Sequence, residues 1–413
     1  MPVWFKMGNI CIYFQVHQPM RLRKYTVFDI TKNDQYFDMH KNREILEKVA
    51  HKCYRPANEL FLKLIEQNKG KFRLSYSISG VVLQQFEQHC PDVLESFRRL
   101  ARTGCVEFLS ETSHHSLSFL YSEREFREQL NNHTKLIWKH FRKKPRVFRN
   151  TELIFNNDLA KCVESLGYKA ILAEGADHVL GWRSPNFVYR PEGCSSIKLL
   201  LKNYRMSDDI AFRFSERSWK EWPLTADKYV SWIDNAGGNV LNLFMDYETI
   251  GEHQWEDTGI FDFFSALPEK VLRNPENSFK TVSEVAEQQP VATLNMPFAV
   301  SWADTERDLS AWNGNSMQRS SLSELYRLEK AIKESGDPEL LENWRRLQTS
   351  DHFYYMCTKY FNDGDVHKYF NPYDSPYDSF IAFMNILNDL SYRLKKGGSG
   401  WKMTETPSIE AAR

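Results

Sequence analysis

The sequence predicts an α/β fold in which parallel strands alternate with helices and close into a barrel, with a helical region after it. Compact apolar runs of strand length, such as NICIYFQV at 9–16, alternate with longer amphipathic segments through the first three hundred residues. Strands separated by helices form βαβ units, and these build parallel sheets. About seven or eight such units favour a closed barrel, although an open doubly wound sheet has the same local pattern.

The spacing of apolar residues defines the individual elements. KFRLSYSIS alternates Leu74, Tyr76 and Ile78 with serines, which is a strand pattern, whereas the segment at 43–67 has helical periodicity. PDVLESFRRLAR is amphipathic and has a proline in its first turn. The predicted strands are 9–16, 71–79, 105–109, 145–150, 169–174, 239–246 and 290–294, and the predicted helices between them are 43–67, 91–102, 123–139 and 157–168.

From about residue 316 the pattern becomes helical. SSLSELYRLEKAIKESG opens with a capping-box pattern, Ser321 with Glu324. SPYDSFIAFMNILNDLSYRL has Ser375 at the cap position and Pro376 in the first turn. The predicted domains are the barrel at 1–315, a C-terminal helical region at 316–395 and a flexible tail at 396–413.

Composition and charge argue against several classes of partner, although a local charged patch stays possible. Lys plus Arg and Asp plus Glu number 54 each, so no global field favours nucleic acid or an anionic membrane. The apolar run ICIYFQV is too short to span a bilayer and lacks a cleavage pattern. The seven cysteines are scattered without CxxC spacing, which indicates reduced thiols in a cytoplasmic protein and no zinc site.

Polar residues recur at the carboxyl ends of four predicted strands. In a parallel barrel the loops at that end converge on one mouth, where substrates bind. Each residue alone is more often structural, because a strand-end histidine is usually hydrogen-bonded and a carboxylate before a helix is usually a cap or a surface charge. Together they indicate one polar site. These residues are His17, Gln18, Glu111, His114, His115, Glu152, Asp246 and Glu248.

The order of the motifs adds a resemblance to a known family. VHQP at 16–19, VEFLSETSHHSLSFL at 106–120, FRNTELIFNN at 148–157, FMDYETIGEH at 244–253 and SWADTERDLSAWNGN at 301–315 resemble the five conserved regions of glycoside hydrolase family 57, in family order. They span about the first three-quarters of the chain, and the combination is highly specific, whereas HQP alone is not. SDDIAFRFS and SDHFYYM resemble the α-amylase-type branch.

The resemblance implies an incomplete (β/α)7 barrel followed by helices, and it implies roles for individual residues. Glu152 is the expected nucleophile and Asp246 the expected general acid/base. His17 and His115 are expected to line the sugar subsite beside them, and His115 stands where some transferase-type members carry an acid. The other residues expected to bind substrate are Gln18, Arg149, Glu248, His253, Trp302, Asp304, Asp308 and Trp312, with Trp182 as a further sugar platform.

Two carboxylates suit glycosidic cleavage because charge develops on both the anomeric carbon and the leaving oxygen. In the retaining route the two carboxyl groups lie about 5–5.5 Å apart. Glu152 must stay ionised, so Arg149 and amide donors are expected to lower its pKa, whereas Asp246 must hold a proton, so its pKa is expected to be raised. Strand alternation puts Glu248 on the same face as Asp246, and only the family pattern favours Asp246 as the acid.

Three other functions fit parts of the pattern. A 4-α-glucanotransferase or a glucan branching enzyme would use the same fold, and a non-catalytic glucan-binding protein would not need the two carboxylates. The ligands available to a metal-dependent polysaccharide deacetylase are His17, His114, His115, His253 and Asp246. No HxH or HExxH spacing occurs, so the preferred prediction is an α-glucan hydrolase without metal or other cofactor. Its predicted partner is a maltodextrin, glycogen or starch fragment, with no nucleic-acid or membrane partner.

Overall fold

Seven parallel strands form a ring. The computed structural model describes residues 8–359 and 371–397, so the predicted flexible tail at 396–413 lies outside the described residues from residue 398 onward. The strands are β1 Asn9–Val16, β2 Leu74–Ile78, β3 Val106–Phe108, β4 Val147–Arg149, β5 Ala170–Glu174, β6 Arg190–Pro191, β7 Lys198–Lys202, β8 Leu241–Asp246, β9 Ser278–Phe279 and β10 Thr293–Leu294. The ring runs β1, β2, β3, β4, β5, β7, β8 and back to β1.

At two places in the ring, one or two backbone hydrogen bonds, rather than a longer ladder, join the neighbouring strands. Between β3 and β4, Ser110 N donates to Val147 O and Arg149 N donates to Ser110 O, both at 2.9 Å. Between β7 and β8, Asn203 N donates to Asn242 O at 2.9 Å. The remaining neighbours pair through parallel ladders of three to six residues. The predicted (β/α)7-type barrel followed by a helical region is confirmed.

Helices follow the ring strands and then continue to the C-terminus. They are α1 Met39–Val49, α2 Arg55–Gln67, α3 Gly80–His89, α4 Pro91–Arg102, α5 Glu123–Phe141, α6 Asn157–Ser165, α7 Asp177–Leu180, α8 Tyr204–Ala211, α9 Ala226–Asn235, α10 Ile260–Leu272, α11 Val282–Val285, α12 Ser310–Asn313, α13 Ser316–Arg327, α14 Glu329–Ser335, α15 Pro338–Arg346, α16 Ser350–Tyr354 and α17 Pro376–Gly397. The single helix predicted at 43–67 is two helices, because a π-helical turn at Ala50–Tyr54 separates them.

Two strand predictions differ from the structure. The segment predicted as a strand at 290–294 lies outside the ring, where β10 pairs with β6. The strand β7 is the seventh member of the ring instead of that segment, although it is absent from the predicted strands. Its three leucines are fully buried between two lysines, and Lys202 is buried as well because Asp208 and Glu174 compensate its charge. Because a lysine stands at each end, the apolar run is only three residues long, too short to be predicted as a buried strand.

The helices after residue 310 pack around a second hydrophobic core. Trp344 and Phe353 lie there with Tyr36, which belongs to the segment after β1. The capping box of α13 uses Asn315 and Gln318 rather than the predicted Ser321 and Glu324, because Ser321 is buried one turn inside the helix. The domain boundary at residue 316 stays a prediction. No helix in the described ranges is both long enough and apolar enough to cross a membrane.

Candidate active site

One cleft opens at the carboxyl ends of the ring strands, where parallel barrels bind their substrates. Side chains that follow β1, β3, β4 and β8 meet there with side chains from the segment after residue 300. The structure therefore brings together residues that are far apart in the sequence. The predicted site residues that line the cleft are His17, Gln18, His115, Glu152, Asp246, Glu248, His253 and Trp302.

Glu152 lies just beyond the end of β4, and both oxygens of its carboxylate are held. Its backbone adopts the left-handed conformation, with φ of 58°, which is uncommon for a residue other than glycine and recurs at functional sites. Trp302 Nε1 donates to Oε2 at 2.8 Å, and Ser350 Oγ donates to Oε1 at 2.9 Å. These two hydrogen bonds hold the carboxylate in one orientation.

His115 lies between two carboxylates. Its Nδ1 is 2.9 Å from Glu111 Oε2, and its Nε2 is 3.4 Å from Glu152 Oε1. Burial alone would lower the pKa of His115, but hydrogen bonds to both carboxylates and their charges raise it to about 9. Burial alone would raise the pKa of Glu152, but the hydrogen bond and charge of His115, together with the charge of Arg149, hold it at about 2. The imidazolium is a larger cause than the predicted arginine.

His17 stacks on His115, with ring centroids 4.0 Å apart and planes 19° apart. Its Nδ1 is 2.7 Å from Ser79 Oγ, and its Nε2 is 3.0 Å from Asp351 Oδ2. Burial and the neighbouring charge of His115 lower the pKa of His17. A neutral ring therefore lies against a charged one, which avoids the repulsion between two imidazolium ions.

Asp246 is the last residue of β8 and has the opposite electrostatic environment to Glu152. Burial and the negative charge of Glu152 raise the pKa of Asp246 to about 6, and the charge of Arg149 opposes this rise. The pKa values of the two carboxyl groups are thus shifted apart. Such a separation lets one group be a carboxylate at a pH where the other is still a carboxylic acid. The predicted distance between the two carboxyl groups stays a prediction.

Glu248 lies in a 3₁₀ turn at Tyr247–Thr249, two residues after Asp246. Tyr54 Oη donates to its Oε1, and Gln18 Nε2 donates to the same oxygen at 3.4 Å. Burial and the charge of Asp246 raise the pKa of Glu248 to about 8. Glu248 is therefore a carboxylic acid at neutral pH, whereas Asp246 holds its proton only below about pH 6, and position alone does not decide which of the two is the proton donor.

Trp302 contacts Glu152 and two cations. Arg149 is fully buried, and its guanidinium carbon lies 5.0 Å from the centroid of the indole ring. The Lys202 ammonium lies 5.4 Å from the same ring. Such cation–π contacts and the hydrogen bond from Nε1 to Glu152 fix the indole. Trp302 thus orients the Glu152 carboxylate directly.

A charged network forms a further wall of the cleft, and the sequence did not predict it. Lys202 Nζ is 2.9 Å from Asp208 Oδ1. Arg307 Nη1 is 3.2 Å from Glu174 Oε2, and it donates to Trp302 O at 2.5 Å. The network fastens the segment that carries Trp302 to the ends of β5 and β7.

Five residues predicted to bind sugar do not line the cleft, and one of them is Arg149, which is fully buried against the Trp302 ring. Trp312 is 1% exposed and belongs to the second core, because α12 turns its indole away from the barrel. Asp308 is exposed and accepts a hydrogen bond of 2.8 Å from Ser310 N at the start of α12. Asp304 is buried beside the lining residue Ala303. Trp182 is 89% exposed, on the loop after α7.

Ser350 and Asp351 are site residues that the sequence reasoning missed. Both belong to α16, and both contact residues at the barrel mouth. The signal was the stretch SDHFYYM, in which a serine and an acid precede aromatic residues. Within residues 8–359 and 371–397, no group of three or more His, Cys, Asp and Glu side chains is arranged to hold a metal ion.

Comparisons with known proteins agree with the fold and with the motifs. Residues 11–299 match the model of glycosyl hydrolase family 57. A protein of Methanocaldococcus jannaschii described as "Putative alpha-amylase" is 45% identical over 405 residues, which are 94% of this chain and 85% of that protein.

Two solved structures share the fold at low sequence identity. The 4-alpha-glucanotransferase of Thermococcus litoralis aligns with a TM-score of 0.64 and 16% identity, over 84% of this chain but only 56% of that enzyme. The GH57-type branching enzyme of Pyrococcus horikoshii aligns with a TM-score of 0.64 and 16% identity, over 88% and 87% of the two chains. These two likenesses concern the fold alone. The family model and the archaeal relative, which each cover most of the chain, show that it belongs to glycosyl hydrolase family 57.

Proposed function

We propose that the chain is a retaining glycoside hydrolase of α-amylase type that cleaves α-1,4-glucosidic bonds in maltodextrins, glycogen or starch fragments. The observation that carries this proposal is the pair of opposed pKa values in one cleft, about 2 for Glu152 and about 6 for Asp246. Between these two values Glu152 is charged while Asp246 holds a proton. A retaining glycosidase needs both states at the start of its reaction.

The reaction proceeds in two displacements. In the first, a Glu152 oxygen bonds to the anomeric carbon as the bond to the leaving oxygen breaks, and Asp246 gives its proton to that oxygen. The products are a glycosyl ester on Glu152 and a shortened glucan. In the second, Asp246 takes a proton from water, the water oxygen bonds to the anomeric carbon, and the ester bond breaks. Two inversions retain the configuration.

The surroundings of Glu152 support both steps. Hydrogen bonds from Trp302 and Ser350 fix the orientation of the carboxylate, so less conformational freedom is lost when it attacks. Its low pKa, caused mainly by His115 acting against burial, makes it a weak base and therefore a good leaving group in the second step. The same low pKa keeps Glu152 ionised from about pH 2 to about pH 6, a range in which Asp246 is protonated.

A 4-α-glucanotransferase or branching enzyme is the second candidate, because enzymes of both kinds share this fold. The archaeal relative supports hydrolysis, as does His115, which stands where some transferase-type members carry an acid. The two functions differ only in the acceptor of the second step, which is water in one and a sugar hydroxyl in the other.

The product profile on maltoheptaose, with and without EDTA, tests the proposal. We expect short maltooligosaccharides in equal amounts under both conditions, and Glu152→Gln should reduce their rate by roughly three orders of magnitude or more while the protein stays folded. Early products longer than maltoheptaose would indicate the transferase. Chelator-sensitive release of acetate from an acetylated sugar would indicate a deacetylase, and binding without products a glucan-binding protein.

We also infer a cytoplasmic location. All seven cysteines are free thiols, as is usual for proteins in a reducing compartment. Fractionation of the source cells tests this inference, and recovery of the protein outside the cytoplasm would contradict it.

A further inference from the structure

The cleft contains a half-exposed aromatic side chain that the proposed mechanism does not use. Phe212 lines the cleft, and 52% of its surface is exposed. Its backbone is fixed, since Phe212 N donates to Asp208 O at 2.9 Å, and the preceding residue Ala211 accepts a hydrogen bond of 2.9 Å from Gln254 Nε2. An apolar ring that rises from a fixed backbone at the open side of a polar cleft suits a ligand with an apolar face.

The strand order places Phe212 at one end of the cleft. Glu152 follows β4 and Asp246 ends β8, so two arcs of the ring separate the two carboxyl groups. The arc from β1 to β3 carries His17 and His115, whose side chains are only 9% and 4% exposed. The other arc, β5 and β7, leads directly into α8 and so to Phe212. The cleft therefore has a closed end at the two buried histidines and an open end at Phe212, although the second arc also carries the buried charges of Lys202 and Asp208.

These two ends suit the two sugar units on either side of the cleaved bond. The unit that becomes bonded to Glu152 develops positive charge and stays through both steps, so its hydroxyl groups need the polar groups of the closed end. The other unit departs as a neutral sugar, and water or a sugar then takes its place, which requires access to solvent. Sugar rings have apolar faces, and aromatic side chains bind apolar faces while leaving the rim in water.

We propose that Phe212 is the stacking platform for the glucose unit on the leaving-group side of the cleaved bond, and for any sugar that enters there as an acceptor. This inference rests on the proposed function and deepens it, because it names a residue that sets how firmly the leaving unit and an acceptor are held. Phe212 should matter for a substrate whose leaving group is a sugar and not for one whose leaving group is an ion.

Two substrates with different leaving groups test this role in Phe212→Ala. Maltopentaose places glucose units at the open end, whereas α-maltosyl fluoride releases fluoride and places none there. We expect kcat/KM on maltopentaose to fall about tenfold and kcat/KM on the fluoride to change less than about twofold. With maltose added to the fluoride reaction, the share of transfer products should also fall about tenfold.

Two further variants complete the experiment. Phe212→Trp keeps an aromatic face and should retain both activities. Phe298→Ala is the matched control, because Phe298 is 70% exposed and does not line the cleft, and it should change neither activity.

The outcomes separate this inference from the proposed function. Equal losses on both substrates, no loss on either, or a Phe212→Trp variant as impaired on maltopentaose as Phe212→Ala would each overturn the role of Phe212 and leave the hydrolase in place. A wild-type protein that releases no fluoride and shortens no glucan would overturn the proposed function, and this inference with it.

Discussion

The hydroxyl of Ser350 donates a hydrogen bond of 2.9 Å to Oε1 of Glu152, although 198 residues separate the two in the sequence. Ser350 begins α16 in the helical region, and the next residue, Asp351, is 3.0 Å from His17 Nε2. The helices after the barrel thus supply side chains to the cleft. Trp302 donates to the other oxygen of Glu152, so segments far along the chain from β4 orient this carboxylate.

Replacing Ser350 with Ala should lower kcat about 10- to 100-fold, because a hydrogen bond to a charged group contributes about 1.5–3 kcal/mol. KM on maltoheptaose should change little, since Ser350 contacts Glu152 but does not itself line the cleft. Ser321→Ala is the control: it removes a buried serine of the same helical region, whose hydroxyl contacts the Met356 sulfur at 3.4 Å. Equal kcat values for the two variants would show that the Ser350 contact does not assist catalysis.

The pH dependence of kcat/KM should have a basic limb near pH 6. The first step needs protonated Asp246, whose pKa burial and the charge of Glu152 raise to about 6, so activity should fall as the pH rises through that value. Glu152 must be ionised, and its pKa of about 2, lowered by His115 against burial, puts the acid limb near pH 2. Initial rates on maltoheptaose from about pH 3 to about pH 9 measure the basic limb.

A basic limb near pH 8 would contradict this assignment. It would match Glu248, whose pKa burial and the charge of Asp246 raise to about 8. The same profile for Glu248→Gln should keep its basic limb near pH 6 if Asp246 is the acid.

His115 should stabilise the fold at neutral pH and lose this effect at alkaline pH. Burial lowers its pKa, but the carboxylates of Glu111 and Glu152 raise it from 6.5 to about 9 in the folded protein. Since the folded value is the higher one, the stabilisation is fully present below about pH 6.5 and disappears as the pH rises through about 9. His115→Gln should therefore lower the free energy of unfolding by on the order of 3 kcal/mol at about pH 6, and by much less at about pH 10.

Urea unfolding of both proteins at the two pH values measures this difference. His51→Gln, at an exposed position, is the control and should change the free energy of unfolding at neither pH. An equal loss for His115→Gln at both pH values would mean that packing, and not the charge of the ring, is responsible.

Most of the ring was predictable because its signals are local. An apolar run such as β1 or β8 can be recognised from a few consecutive residues. The convergence of the strand ends then follows from parallel pairing. The strand β7 was not predicted because the burial of Lys202 depends on the charges of Asp208 and Glu174, which lie outside the strand. When the burial of a charged residue depends on countercharges elsewhere in the chain, the hydrophobic pattern of its own segment does not indicate that burial.

In the site, too, local motifs predict some residues, whereas other features depend on contacts between distant segments. Glu152 and Asp246 were predicted from motifs at strand ends, and the structure brings both to one cleft. The charge on His115 was not predictable, because it requires Glu152, from another strand, in addition to Glu111. Trp302 and Trp312 share one motif, yet α12 sends the second into the C-terminal core. Sequence spacing does not reveal where a chain turns.

Asp246 and Glu248 remain to be distinguished as proton donors, and the leaving group of the substrate can distinguish them. If Asp246 is the general acid, its removal should matter most when the leaving oxygen needs a proton. For Asp246→Asn, glycosyl-enzyme formation from an activated aryl α-maltoside should therefore survive far better than attack on a natural glucan. Glu248→Gln should show a weaker loss, equal for both substrates, because its bonds to Tyr54 and Gln18 shape the cleft wall.

The second step gives an independent measure of the same assignment. Without its general base, the Asp246→Asn enzyme should accumulate the glycosyl ester on Glu152, and a small external nucleophile such as azide should partly restore turnover because azide needs no deprotonation. Pre-steady-state burst amplitudes on the aryl substrate, and steady-state rates on maltoheptaose with and without azide, measure these effects. If azide rescue and the dependence on the leaving group instead follow Glu248→Gln, Glu248 is the general acid, and Asp246 raises its pKa as a neighbouring charge.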